Sequence, residues 1–440
     1  MSRPPGRGDR AGAEPLANAA GPWRTDRLVG AAVVAALLLR LAFGLGYWSG
    51  KPLTNDEREH LLLARSLVRG DGLTYGAGEA AAEGVRGFER APGYPLFVAA
   101  VMSGSSAFAQ DPLPSDTPWQ LKSVQAGVGA LVVWLLAGIA WQMAGLGAAR
   151  AAACLAAVYP PLVWTPAYVL SETLYSSVAL ATALVLHPVF ARPRPGRPGP
   201  ALLGGVLSGV ATLIRPGHLL FAALAGAWLV LSRRPAAGAI LVGATLLTVA
   251  PWTARNLAAD GRFILVSAQG GITFWTGNHP LARGEGDLAA NPELKLAEID
   301  LRRRHADLDE EALDRVYYAE ALDYIRSRPL SWLWLEARKL FYLIVPIGPS
   351  YLLHSWLYLS ASWLAYLSVL PFAVAGTVLL IGRGRHPKAL WALALSAVVV
   401  CLVFFPQERF RIPVIDPALI ASAAAWFGLR RSNVQGTVPP

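Results

Sequence analysis

LVGAAVVAALLLRLAFGLGYW, residues 28–48, is followed five residues later by TNDEREHLLLARSLVRG, residues 54–70. At about 1.5 Å rise per residue the first stretch is long enough to cross a hydrocarbon core of ~30 Å. The second is polar, and it places the adjacent carboxylates Asp56 and Glu57 where the first would leave the bilayer. A carboxylate held at a membrane boundary is costly, so the pair reads as a functional site.

Composition extends this reading to the whole chain. Of 440 residues, 54% are hydrophobic and 15% charged, with a mean hydropathy of +0.41, more apolar matter than a water-soluble core can hide. The expected class is an all-α polytopic membrane protein with about ten spans. The net charge of +10 sits in short Lys/Arg clusters between apolar runs. No basic face with interleaved aromatics forms, which argues against a nucleic-acid partner. Cys154 and Cys401 lie inside apolar runs, with neither metal-ligand spacing nor a disulfide framework. The first apolar run is too long for a signal-peptide core and reads as a retained span.

In chain order, residues 1–27 read as a cytoplasmic tail and 28–252 as a transmembrane core that includes the polar first loop, 49–95. Gly93 to Gln110 is short and precedes an acidic linker, so it reads as a membrane-dipping segment on the outer side. Tyr159-Pro160-Pro161 predicts a kink. Ala201 to Leu231 is too long for one span and is interrupted at Arg215-Pro216-Gly217-His218, which predicts two short helices meeting there. Residues 253–330 form the one long polar loop, with a strand-like alternation at Arg262 to Ser267, turn signals at Gly270-Gly271, and charged helices from Pro292 to Arg328. Leu330 to Val345 is Trp-rich and amphipathic, an interfacial helix, and it opens the segment 331–429 that carries the last spans before a tail at 430–440. This count puts the N-terminal arginines, the Arg192 loop, Arg233-Arg234, the Arg383/Arg385/Lys388 group and Arg430-Arg431 on one side, the cytoplasmic one. No internal repeat of fixed period appears.

Neighbouring helical residues point about 100° apart, so Asp56 and Glu57 cannot form a matched acid–base pair. Asp56 competes with Thr54 and Asn55 as the cap of the next helix. Glu89-Arg90 closes the loop, Glu172 opens a span, Arg215 interrupts one, Arg255 ends one, and Arg409 and Arg411 flank the last outer turn. Each has an ordinary alternative: a loop salt pair, a helix cap, a snorkelling or anchoring guanidinium. Arginines outside the membrane suit bidentate phosphate binding, and apolar helices beside them suit a lipid tail. One carboxylate suits deprotonation of an attacking hydroxyl. When a sugar leaves a lipid phosphate the leaving group is already an anion, so one base and several arginines suffice. No His/carboxylate spacing specifies a metal; a divalent cation remains compatible with the sequence.

The order of motifs resembles the GT-C integral-membrane glycosyltransferases of the protein mannosyltransferase and lipid A aminoarabinose transferase type. The matching pieces are NDE at 55–57, HLLLARSLVRGDGL at 60–73, FERAPGYP at 88–95, LSETL at 170–174, IRP at 214–216, PWTARN at 251–256 and RFRIP at 409–413. The resemblance implies a GT-C fold with a helical first extracytoplasmic loop and a small extracytoplasmic insertion. It implies Asp56 as catalytic base supported by Glu57, with Arg90 and the Arg215 or Arg255 group, joined by Arg409 and Arg411, on the donor phosphate. Glu89 and Glu172 would support the site. The expectation is therefore an inverting transfer from a polyprenyl-phosphate sugar to a protein, lipid or glycan acceptor, outside the cytoplasm. A flippase gripping the same phosphate without transfer is the alternative.

Overall fold

In a bilayer every backbone N–H and C=O needs a partner within the protein, and the apolar runs meet that demand as helices. The computed structural model describes residues 21–74, 90–191, 197–261, 263–286, 288–345 and 355–435, and every regular element among them is helical. The first helix, α1 (Arg27–Leu41), is capped by Asp26 and continues in wider turns to Tyr47. The polar α2 (Asn55–Arg69) and the ten-residue α3 (Gly93–Met102) come after it, the latter too short to cross, as its composition suggested. Next come α4 (Trp119–Ala144), α5 (Leu146–Val158) and α6 (Pro160–Trp164), then α7 (Glu172–Ala191) and α8 (Gly199–Ile214). The core is extended by α9 (Leu219–Leu231) and α10 (Pro235–Asp260). Four helices form the insertion: α11 (Gly270–Gly277), α12 (Pro292–Arg304), α13 (Glu310–Ser327) and α14 (Pro329–Ile344). The last elements are α15 (Trp356–Gly382), α16 (Lys388–Val403), the single turn α17 (Glu408–Arg411) and α18 (Ile415–Gln435).

Among the described residues five helices are long and apolar enough to span alone: α1 with its extension, α4, α7, α10 and α15. Taken as one span, the pair α5–α6, bent by 66° at Tyr159, adds a sixth. With the shorter apolar α8, α9 and α16, and with α18, the chain is a multi-pass membrane protein of the kind expected. Helix α18 packs against α15 and α5 through small side chains. A Cβ at Gly376 would collide with the Ser422 carbonyl, and one at Gly428 would crowd Ala148 and the Ala144 carbonyl. Where lipid supplies no hydrophobic drive, such close backbone approach is the main source of helix association.

The bend has a defined partner. Pro160 and Pro161 have no N–H to offer the carbonyls of Ala156 and Ala157, four residues earlier. Buried Arg40 takes their place: Nη2 donates to Ala156 O and Nη1 to Ala157 O, both at 3.3 Å, and Nη1 also to Ala36 O at 3.0 Å. A cation inside the first span thus satisfies the backbone that two prolines leave open.

The cationic loops gather at one end of the bundle. Arg150 pairs with Asp26 at 2.6 Å, Arg385 donates to Met143 O, Arg383 to Leu429 O and Arg234 to Val189 O. The polar loop of α2 lies at the other end. Some details differ from the sequence reading. The N-terminal tail stops being a tail at Gly21, because Trp23 is fully buried against Trp134. The alternation at Arg262 to Ser267 gives no strand among the described residues, which exclude Arg262. The carbonyls of Ile264, Leu265 and Val266 accept from Asn256, Thr253 and Trp252 of α10, so side chains supply what a neighbouring strand would. Gly270-Gly271 opens α11 instead of a turn, with the Gly271 amide donating to Asp314 at 2.7 Å.

Replacing Arg40 by Met should cost about 1–3 kcal/mol for each carbonyl left without a donor. Thermal melting of the purified protein in detergent measures this, and an unchanged midpoint contradicts the assigned role of Arg40.

Candidate active site

Thr54 is the cap of α2. Its side chain accepts from the Glu57 amide at 3.4 Å, while the Glu57 carboxylate accepts from the Thr54 amide at 2.8 Å and its hydroxyl at 2.9 Å. This capping box settles the role of three residues. Asp56 is not the cap and turns its carboxylate away from the helix end. Glu57 is 2% exposed, its other oxygen accepting from the Val169 amide at 2.9 Å. The adjacent acid therefore braces α2 against the loop after the α5–α6 bend and does not share the space in front of Asp56.

Both oxygens of Asp56 are held by guanidinium groups: Oδ1 by Arg90 Nη2 at 2.7 Å and Oδ2 by Arg409 Nη1 at 2.5 Å. Arg90 also reaches Glu59, with Nε–Oε2 at 2.8 Å. Asp56 and Glu59 stand three residues apart on one face of α2, so a single guanidinium spans both. Burial alone would raise the Asp56 carboxyl, but the charges of Arg409 and Arg90 outweigh it and hold the group well below the usual carboxylate range. The groups stay accessible, with side-chain exposures of 28% for Asp56 and 38% for Arg409.

A second ion pair stands beside the first. Arg215, at the break between α8 and α9, donates to Glu172 at 2.5 Å and to Ser171 at 3.1 Å. Its guanidinium lies 5.4 Å from the Phe410 ring centre, and that of Arg409 lies 5.2 Å from the same ring, so one aromatic side chain links the two arginines. His60, one turn beyond Asp56, is buried edge-on against Tyr94. Burial, then the positive charge of Arg90, pushes its pKa down to about 3, with Arg409 and Arg215 acting in the same direction and Asp56 against them. Asp56 thus joins Arg90 to Arg409, and Phe410 joins Arg409 to Arg215.

Two expected phosphate ligands, Arg411 and Arg255, have other described partners. Arg411 is two residues from Arg409 in a helical turn, hence about 200° round the axis. It is buried against Asp416 at 2.9 Å and the Tyr366 ring at 4.1 Å. Arg255 lies over the Trp252 ring at 4.9 Å, three residues back on α10, and donates to Asn256 at 3.3 Å. Glu89 lies outside the described residues. Glu59, His60 and Phe410 were not singled out from the sequence. The first two are reached by the helical spacing i, i+3, i+4 once Asp56 is placed; Phe410 carries no such signal.

A divalent cation fits this cluster poorly. Asp56 and Glu59 already face guanidinium groups, Glu172 is taken by Arg215, and among the described residues no three His, Cys, Asp or Glu side chains gather as metal ligands.

No protein-family model matches the chain, and no curated protein matches it in sequence. Solved structures match it in fold. The archaeal oligosaccharyltransferase AglB from Archaeoglobus fulgidus, in complex with an inhibitory peptide and a dolichol-phosphate, aligns with a TM-score of 0.52 at 12% identity, over 95% of this chain and 53% of its own. An Archaeoglobus fulgidus oligosaccharyltransferase in complex with Zn and sulfate gives 0.51 at 12% identity, over 93% and 49%. ArnT from Cupriavidus metallidurans bound to undecaprenyl phosphate gives 0.40 at 14% identity, over 94% and 80%. The chain spans about half the length of the oligosaccharyltransferases it matches. Its fold is that of these oligosaccharyltransferases, the GT-C fold that the order of its motifs implied.

Proposed function

We propose that the chain is an inverting glycosyltransferase that moves a sugar from a polyprenyl-phosphate donor to an acceptor outside the cytoplasm. One observation carries the reading: a solvent-reachable carboxylate at a helix N-terminus with each oxygen on a separate arginine. Arginine forks are suited to phosphate oxygens. That an oligosaccharyltransferase of the same fold was solved with a dolichol-phosphate supports a lipid phosphate as the anion. The site lies at the end of the bundle opposite the cationic loops, the extracytoplasmic end if those loops obey the positive-inside rule.

In the transfer, the acceptor's nucleophilic atom attacks the anomeric carbon from the face opposite the phosphate. The carbon–acceptor bond forms as the carbon–oxygen bond to phosphate breaks. The bonding pair leaves on the phosphate oxygen, the acceptor's proton goes to Asp56, and one displacement inverts the configuration. Arg90, Arg409 and Arg215 stabilise the departing anion, so no second acid is required. Hydrolytic enzymes that must protonate a neutral leaving oxygen use two facing carboxyls, an arrangement that Asp56 and the buried Glu57 do not make.

A carboxylate clamped by two arginines is a weak base, and the donor removes the clamp. Phosphate oxygens compete for the guanidinium groups that hold Asp56, and each bond given up raises the proton affinity of the carboxylate. Base strength is then coupled to donor binding. Glu59 keeps Arg90 in place during the exchange through its contacts with Nε at 2.8 Å and Nη2 at 2.5 Å. The acceptor, whether protein, lipid or glycan, would meet the helical insertion α11–α14.

Asp56→Asn should reduce transfer from radiolabelled polyprenyl-phosphate sugars about 10²–10⁴-fold, the usual contribution of a general base, with membrane insertion and melting preserved. Retained transfer sinks the assignment; movement of donor across the bilayer without consumption, unaffected by this substitution, makes the protein a flippase. His60 supplies a second test, because its pKa near 3 depends partly on the arginines' charge. Nitrogen NMR should show it neutral down to about pH 4, and added polyprenyl phosphate should move its midpoint upward as the anion offsets Arg90 and Arg409. A midpoint unmoved by saturating lipid phosphate places the anion elsewhere.

A further inference from the structure

Helix α14 is apolar on two sides. Its inner face is anchored: Trp332 Nε1 donates to Asn278 Oδ1 at 3.0 Å, and buried Lys339 reaches the same oxygen at 3.1 Å, Glu336 at 2.6 Å and the Leu402 carbonyl at 2.8 Å. Leu402 is in the last turn of the apolar α16, so α14 crosses the end of a membrane helix. The outer face carries Leu330, Leu333, Trp334, Leu340, Phe341 and Ile344, spaced as one helical stripe, with Leu330 81% and Trp334 68% exposed. A helix lying across a span's end with a bare apolar stripe belongs in the membrane surface.

Beside the stripe lies a groove of about 410 Å³, between the end of α13, the turn at residues 280–282 and α14. Tyr324 and Ser331 bring hydroxyls to it, Leu330 and Trp334 form its apolar wall, and Arg338 is the one charge in its lining. Arg338 has no carboxylate partner among the described residues, in contrast to Arg90, Arg409 and Arg215. We propose that this groove binds the phosphate headgroup of an anionic phospholipid, whose chains run along the Leu330–Trp334 stripe. Arg338 and the hydroxyls supply donors for the phosphate, and the apolar wall continues into the layer where acyl chains begin. A zwitterionic headgroup is disfavoured because the lining offers no carboxylate to its ammonium group. The groove shares no lining residue with the Asp56 cluster, and its role is to fix the plane of α14, and with it the insertion, on the membrane.

The test uses the full chain purified in detergent, incubated with phosphatidylglycerol or phosphatidylcholine, with retained lipid counted by native mass spectrometry. Phosphatidylglycerol should be kept in preference to phosphatidylcholine. Arg338→Gln should lower its retention about fivefold, the effect of one basic residue at a membrane surface, and Arg303→Gln on exposed α12 should not. Equal retention of both lipids, or an unchanged Arg338→Gln, overturns the proposal. Displacement of the lipid by equimolar inorganic phosphate overturns it in favour of a free-phosphate site. Should Arg338→Gln not fold, Trp334→Ala, which keeps the charge and removes the wall, must also lower retention; if it does not, the site is absent.

Discussion

The structure depends on how the backbone is satisfied where the third crossing breaks. Two prolines remove the donors that Ala156 and Ala157 would have used, and a bilayer offers no water to replace them. Arg40 restores both bonds from α1. The break matters because it redirects the chain toward the polar site. Past Ala167 the chain leaves the helix, and within a few residues it delivers the Val169 amide to Glu57 and Ser171 with Glu172 to Arg215. Gln125 holds this stretch from α4, donating to the carbonyls of Pro166 and Tyr168 at 2.9 and 2.8 Å, while it accepts from Tyr94 of α3. An arginine in the middle of a span thus helps set the position of a polar site at the span's end.

That site is balanced in charge. Asp56, Glu59 and Glu172 face Arg90, Arg409 and Arg215, so the cluster leaves none of these charges unpaired, which would be far costlier than the pairs themselves. The balance also sets a condition on the ligand. An anion can enter only by taking guanidinium groups from carboxylates, so part of its interaction energy goes into breaking bonds already made. A dispersed positive patch would hold phosphate more tightly but would leave no carboxylate whose basicity the binding could alter.

Much of this was legible in the sequence, and the limits are physical. The spans, the break at Arg215, the short α3 and the amphipathic α14 are set by length and periodicity, which the bilayer makes nearly decisive. Asp56 stood out because a carboxylate at a membrane boundary is expensive. Glu57 looked equivalent to it, since adjacency says nothing of burial, and only the capping box and the distant Val169 amide separate them. The pairing of Asp56 with Arg409 joins residues 353 positions apart and has no local signature. Arg411 could not be told from Arg409 without knowing that residues 408–411 form a helical turn. The alternation after Arg262 misled because period two describes any extended chain, whether its carbonyls meet a strand or the side chains of a helix.

Arg90 shows why residue type matters at this site beyond charge. Its Nη2 meets Asp56 at 2.7 Å and Glu59 at 2.5 Å, and its Nε meets Glu59 at 2.8 Å, so the planar guanidinium fixes the angle between two carboxylates on neighbouring positions of one helix face. A lysine in its place would have its three donors on one nitrogen and could turn freely toward either acid or toward phosphate. With lysine the exchange from carboxylate to phosphate would be a rotation about a single atom. With arginine one edge can stay on Glu59 while the other is handed over, so the guanidinium remains oriented as its partner changes. The contact to Glu59 is therefore what makes the second acid of the α2 face part of the cluster.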